Sequence, residues 1–362
     1  MSLPSFLTSS SPHVHGGDSV AKIMETVIYA LLPATALSVM LFGWPALLVI
    51  AITTAACVAT EHFFIMFRRR PSPIGDRSAI LTGLLLALTL PPHTPWWICV
   101  VGGVFAIGVG KQIYGGLGYN MFNPALIARV FLLISFPVEL TSWTGPSPLF
   151  DSGTFTFDQS LAIIFSGVYP SPEILDAITT ATPLGQYRTE VGLGRTVQEA
   201  LGGAFAFNTV NAGGGYISGS VGETSALLLV VGGIYMVRKK VITLHIPLAM
   251  LAGCLIPALI MNINDPAHYP GAVFHLVTGG LIIGAFFMAT DMVTSPVTPK
   301  GQIIFGLSCG FLTYVIRTWG GYPEGVSFAI VIMNTAVPLI DQYTRPVVFG
   351  KPRKKSKEPT HA

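Results

Sequence analysis

Nine residues, Asp176-Ala-Ile-Thr-Thr-Ala-Thr-Pro-Leu184, set an acid, three hydroxyls and a proline at fixed spacings. Pro183 confines Thr182 to extended backbone, which would hold its hydroxyl away from its own peptide groups. A hydroxyl so placed could serve as an attachment point. Thr179 and Thr180 offer alternatives, and the bland reading of the stretch is a capped loop with Thr/Pro turn chemistry.

A second constellation is Gly115-Gly116-Leu117-Gly118-Tyr119-Asn120, followed by Asn123. It lacks the strand and helix context of a Rossmann or P-loop site, so it is not a nucleotide fingerprint. In a broken membrane helix, adjacent glycines let a backbone or a flat ring approach closely, and Asn120 and Asn123 can bond freed peptide groups or a ring edge. Arg129 stands within the next apolar run, where it can pair with an acid or meet an anionic ring or phosphate. A central charge costs about 2.5 to 3.5 kcal/mol on insertion scales. Glu61, His62, Lys111, Asp291, Arg317, Glu324 and Asp341 therefore join Arg129 as ionisable residues to be explained. Asp291 and Asp341 fall near run ends and read as caps or interfacial groups. His245 and His275 read as satisfied core histidines, with no partner at helical spacing. Cys57, Cys99, Cys254 and Cys309 lack any zinc or iron–sulfur spacing and read as buried small hydrophobes. No catalytic residue and no metal site is expected in this chain.

The elements that must position these residues are membrane helices. Of 362 residues, 51% are hydrophobic and only 10% charged, against roughly a quarter charged in soluble domains. That excludes an ordinary soluble enzyme, and a net charge of +3 is too small to suggest nucleic acid. Apolar runs of about 16 to 24 residues suit a hydrocarbon core about 30 Å thick. They place ten spans at 20–42, 44–67, 78–90, 96–114, 122–136, 223–237, 242–262, 273–290, 302–316 and 326–340. The expected fold is an all-α polytopic transmembrane bundle with broken helices.

Lys22, Arg68, Arg69, Arg70, Arg77, Lys111, Arg238, Lys239, Lys240, Lys300 and the basic tail then share one side. The positive-inside rule makes that side cytoplasmic, with both termini inside. The chain divides into a cytoplasmic segment (1–19), a first transmembrane repeat (20–136), an extracytoplasmic loop region (137–222), a second repeat (223–341) and a basic cytoplasmic tail (342–362). The first nineteen residues lack the basic start of a signal peptide, so the first span is expected to remain in the mature protein.

Five spans per half give the halves opposite orientation. Ser78-Ala-Ile-Leu-Thr-Gly-Leu-Leu-Leu-Ala echoes His275-Leu-Val-Thr-Gly-Gly-Leu-Ile-Ile-Gly. Tyr114-Gly-Gly-Leu-Gly-Tyr-Asn echoes Trp319-Gly-Gly-Tyr-Pro-Glu-Gly. Such echoes point to inverted five-helix repeats whose broken helices meet near the bilayer midplane.

Asp176 to Leu184 resembles the flavin-attachment segment of the D-subunit family of Rnf electron-transport complexes, a family related to the B subunit of the sodium-pumping NADH:quinone reductase. Further similar stretches are Lys111-Gln-Ile-Tyr-Gly-Gly-Leu-Gly with Phe122-Asn-Pro-Ala, Leu133-Ile-Ser-Phe-Pro and Gly284-Ala-Phe-Phe-Met-Ala-Thr-Asp-Met-Val-Thr. Arg317-Thr-Trp-Gly-Gly-Tyr-Pro-Glu-Gly-Val-Ser-Phe-Ala and Val337-Pro-Leu-Ile-Asp-Gln-Tyr-Thr-Arg-Pro346 extend the likeness from about Ser11 to Pro346.

The resemblance implies FMN joined through its phosphate to Thr182 by a dedicated flavin transferase, whose preferred pattern has glycine where this chain has Thr180. Asp176 would assist that transferase or hold its metal, or else cap a helix. The resemblance also implies a noncovalent riboflavin near Gly115, Gly116, Asn120 and Asn123. The chain would be one subunit of a translocase in the bacterial inner membrane, linking ferredoxin and NAD to Na⁺ or H⁺ movement, with no complete active site of its own. Its partners would be the other subunits, above all an extracytoplasmic FMN-bearing subunit, and the lipid membrane. The competing reading is a cofactor-free inverted-repeat solute transporter or channel.

Overall fold

A computed structural model describes residues 19–68, 73–149, 155–167, 169, 181–202, 214, 216–223, 225–322 and 324–346. Asp176, Thr179, Thr180, the segment through residue 18 and the tail beyond residue 346 lie outside the described residues. The described chain is all-helical, as its composition requires.

The first two expected spans form one kinked helix, α1 (Val20–Arg68), whose bend falls where the two apolar runs divide. Gly43 there has φ 70° and ψ −154°, a conformation that a Cβ would oppose. α2 (Ser78–Leu88) follows, and a turn through Pro91 and Thr94 leads to α3 (Trp96–Val104). α3 continues as a π-helical segment, Phe105–Gln112, of the kind often found at functional sites. α4 (Pro124–Ser135) begins on Asn123, whose side chain accepts from the amides of Ala125 and Leu126.

Short helices then fill the expected loop region: α5 (Pro137–Thr141), α6 (Phe157–Ser166), α7 (Pro183–Gly192) and α8 (Val197–Gly202). A 3-10 turn, Val221–Glu223, opens the second half, followed by α9 (Ala226–Arg238) and α10 (His245–Asn264). α11 (Ala272–Val277) and α12 (Leu281–Ile283) share one apolar run. α12 runs on as π-helix through Gly284–Met288. α13 (Pro299–Trp319) and α14 (Val326–Tyr343) complete the chain. Among the described residues, α1, α10 and α14 are long and apolar enough to cross a membrane.

The run 273–290, expected as one span, is broken at Thr278-Gly279-Gly280. Gly279 takes φ 67°, a left-handed turn that stops α11. Its sequence counterpart, Thr82-Gly83, stays inside α2, so the echo between these stretches does not extend to the backbone. A Cβ on Gly103 of α3 would lie 2.8 Å from Ala56 Cβ and 3.2 Å from the Cys57 amide nitrogen of α1, and the backbone of α10 at Met250 and Cys254 lies where one on Gly310 of α13 would sit. Close approach through small residues is the usual basis of helix pairing in lipid.

All four cysteines are buried, as expected. His245 is exposed at the start of α10 and is not a core histidine. His275 is buried, but its Nδ1 has no hydrogen-bond partner; packing against the rings of Phe274 and Tyr314 holds it instead.

Candidate functional site

Thr182 is the N-cap of α7, with φ −65° and ψ 152°, the extended conformation that Pro183 demands. Its Oγ1 accepts the Gly185 amide hydrogen at 3.0 Å. The hydroxyl is therefore engaged with the local backbone rather than held away from it, and Thr182 is only 4% exposed.

α7 is fastened to the rest of the molecule from several sides. Leu184 and Tyr187 pack with Val197 and Phe274. The Tyr187 hydroxyl donates to the His268 carbonyl at 2.9 Å, Arg188 Nη1 to the Tyr322 carbonyl at 3.1 Å, and Ser218 Oγ to the Ala181 carbonyl at 2.7 Å. Burial pushes the Tyr187 phenol upward, helped by Tyr314 and Tyr269 and opposed by Arg188. A proton-donating phenol thus stays in place to hold the segment.

Beneath α7 lies the break between α11 and α12. Arg317 of α13, 1% exposed, donates from Nη1 to the His275 carbonyl at 2.7 Å and from Nη2 to the Thr278 carbonyl at 3.0 Å. These are carbonyls that the end of α11 leaves without helical partners. Glu324 Oε1 accepts the Gly280 amide hydrogen at 2.7 Å. A Cβ on Gly279 would lie 2.6 Å from Glu324 Oε1, 2.7 Å from Arg317 Nη2 and 2.8 Å from Leu184 Cδ1. The two charged groups and the Thr182 segment therefore converge on one glycine.

Arg129 is 2% exposed, with its guanidinium carbon 5.7 Å from the centre of the Trp143 ring. Among the described residues it forms no ion pair with an acid, and its buried Nη1 has no hydrogen-bond partner. Glu324 is visible in the sequence as a charge at membrane depth. Glu223 stands at the boundary between the loop region and the expected span 223–237, where nothing local marks its burial.

The second constellation forms a cavity of about 350 Å³ lined by α1, α2, α4, α9 and the π-helical segments. Asn120, Asn123, Lys111 and Gly118 line it, with Phe286 and Phe287 among its apolar walls. Gly115 and Gly116 precede Gly118 in the loop but do not line the cavity, and neither does Arg129. Asn123 Nδ2 donates to the Met288 carbonyl at 3.1 Å, tying the two halves together. Asn120 Oδ1 is buried with no partner. Lys111 is ion-paired with Glu61 and bonded to Ser78 Oγ, all three buried. A volume near the lower end of ligand sites, mostly apolar walls and one orphaned acceptor suit a flat ring with an N–H edge.

A sequence model of the NQR2, RnfD, RnfE family matches residues 7–350. The D subunit of the ion-translocating oxidoreductase complex of Stutzerimonas stutzeri is 47% identical over 92% of this chain and 93% of its own length. The protein of the same description from Halorhodospira halophila is 42% identical, with 95% of each chain covered. The D subunit of the proton-translocating ferredoxin:NAD(+) oxidoreductase complex of Clostridium ljungdahlii is 44% identical over 96% of this chain and 97% of its own.

Proposed function

Because the chain belongs to the NQR2, RnfD, RnfE family, we propose that it is the D-type membrane subunit of an ion-translocating oxidoreductase complex and carries FMN on Thr182. The relatives' descriptions supply the complex and its link to ion movement. The flavin, the ten spans in two inverted repeats, the cytoplasmic termini and the extracytoplasmic position of Thr182 belong to this reading.

The observation that carries it is the place of Thr182 at the N-terminus of α7. A helix N-terminus presents backbone amides and a positive dipole end to an anion. A phosphoester on Thr182 Oγ1 would put its charge there, with the Gly185 amide as the first donor. FMN so held would supply the redox chemistry, and the protein its position and electrostatics. Docking of α7 through Tyr187 and Arg188 would fix that position relative to the membrane helices. Since Thr182 is 4% exposed, a flavin transferase would act before the segment docks or on an opened form. The Asn120 and Asn123 cavity is the proposed place of a noncovalent riboflavin, whose ring N–H would satisfy Asn120 Oδ1.

Electrons would come from an extracytoplasmic FMN-bearing subunit and pass through this chain, coupled elsewhere in the complex to ferredoxin and NAD. The test is in-gel flavin fluorescence of the denatured polypeptide after coexpression with its flavin transferase. The wild-type band should fluoresce and a Thr182→Ala band should be dark. Equal fluorescence from the two would remove the attachment site. A dark wild-type band would favour a cofactor-free transporter.

A further inference from the structure

α10 begins at His245 and α14 ends at Tyr343, and both helices are long and apolar enough to cross a membrane. Hydrogen bonds stitch these two ends together through the start of α13. Thr243 Oγ1, just before α10, donates to Gln302 Oε1 at 2.9 Å. Thr298 Oγ1, at the N-cap of α13, donates to Thr344 Oγ1 at 2.8 Å, and the Val297 amide donates to Asp341 Oδ1 at 3.2 Å. Three segments far apart in the chain thus share one face at a membrane boundary.

Each segment brings cations to that face: Arg238, Lys239 and Lys240 at the end of α9, Lys300 in the first turn of α13, and Arg345 after α14. All five are exposed, and none forms an ion pair among the described residues. Asp341, the acid stitched into the face, has one oxygen on the Val297 amide. Lys240 holds φ 58°, a left-handed turn where glycine or asparagine would be relaxed, so its charge is kept at a conformational cost. Apolar and aromatic groups stand beside the cations. Lys239 Nζ lies 5.8 Å from the centre of the Tyr235 ring, and Val297 and Tyr343 are each 82% exposed. Tyrosines at this level belong to the headgroup zone of a bilayer. Unpaired cations next to exposed apolar side chains match an amphiphile with an anionic head and an apolar tail better than they match an acidic, hydrophilic protein surface.

We propose that this face is a binding site for an anionic phospholipid, whose headgroup phosphate is held by Arg238, Lys239, Lys240, Lys300 and Arg345 while its acyl chains lie along α10 and α14. Basic clusters at the ends of membrane helices recognise anionic headgroups through charge, and the stitching of three segments makes this one a site rather than a diffuse field. The proposal rests on the reading that these helices cross a membrane, and it is independent of flavin on Thr182.

Native mass spectrometry of the delipidated full chain, titrated with phosphatidylglycerol or phosphatidylcholine, tests the site. The wild type should bind its first phosphatidylglycerol more tightly than phosphatidylcholine, and less so as ionic strength rises. Combining Lys239→Gln, Lys300→Gln and Arg345→Gln, one exposed cation from each segment, should weaken phosphatidylglycerol binding at least about tenfold and leave phosphatidylcholine binding unchanged. Arg195→Gln should change neither, since the adjoining Val197 amide bonds the Ala267 carbonyl beyond the other end of α10. Equal binding of the two lipids by the wild type would overturn the proposal and leave the cations to an acidic segment of another protein. Phosphatidylglycerol affinity retained in the triple variant, or lost equally in Arg195→Gln, would overturn it as well. Displacement of the lipid by inorganic phosphate at constant ionic strength would reassign the site to a free anion.

Discussion

The Thr182 hydroxyl accepts the Gly185 amide hydrogen at 3.0 Å, so the atom proposed to carry flavin phosphate is also the cap of α7. Attachment and local folding should therefore respond together to substitution. Thr182→Ser keeps an oxygen in both roles and should retain the flavin and the protection of the Gly185 amide against hydrogen exchange. Thr182→Ala should lose both, with a helix penalty of about 1 kcal/mol. Loss of exchange protection at Gly185 in the serine variant would show that the cap assignment is wrong.

The cavity behind Asn120 makes a separate prediction. Thr82→Phe would place a ring inside its wall, beside Leu85 and Asn123. The variant should lose flavin released by acid precipitation of the purified protein while keeping the covalent flavin on Thr182. Full retention of releasable flavin would move the noncovalent site elsewhere.

Arg317 holds two carbonyls at the end of α11, where the apolar run breaks. Lysine has one ammonium and no planar fork, so Arg317→Lys should forfeit at least one of these bonds. Hydrogen bonds to charged groups are worth about 1.5 to 3 kcal/mol. A lower thermal midpoint in detergent is expected, and an unchanged one would make the guanidinium dispensable to the break.

Outside the membrane helices, Asp265 organises the turn after α10. Its Oδ1 accepts from the amides of Ala267 and His268, and its Oδ2 lies 2.8 Å from His268 Nδ1. Desolvation alone would raise this carboxyl, but the His268 ring and these amides hold it below the ordinary carboxylate range. A depressed folded value stabilises the turn above the unfolded pKa of about 3.9 and loses that contribution as pH falls through the folded value. Exchange protection of the Tyr269 amide, bonded to the Asp265 carbonyl, should be steady from about pH 7 to about pH 5 and fall only below about pH 4. A loss centred near neutral pH would assign the control to another group.

The legible parts of this molecule are those that local physics decides. Two apolar runs meet at Gly43, and the helix bends there. Asn123 before a proline caps α4, and Pro183 sets the backbone of Thr182. The rest depends on what arrives from elsewhere in the chain. The run 273–290 is long and apolar enough to read as one span despite its Thr278-Gly279-Gly280 step, and the break there is fixed by Arg317, some forty residues later, which holds the carbonyls of His275 and Thr278. Thr182 reads as free in the sequence because Gly185, which occupies its hydroxyl, becomes a donor only once α7 forms. Glu223 stands where the polar loop region gives way to the run 223–237, and nothing local in the sequence marks its burial.

The central claim is a covalent bond at one oxygen. Peptide mass mapping of the protein, purified from cells that make its flavin transferase, reads that bond directly. The account predicts that the peptide containing Thr182 gains the mass of FMN less one water, with fragment ions placing the gain on Thr182. Recovery of that peptide unmodified from active, assembled complex, or a gain placed on Thr179 or Thr180, would contradict it.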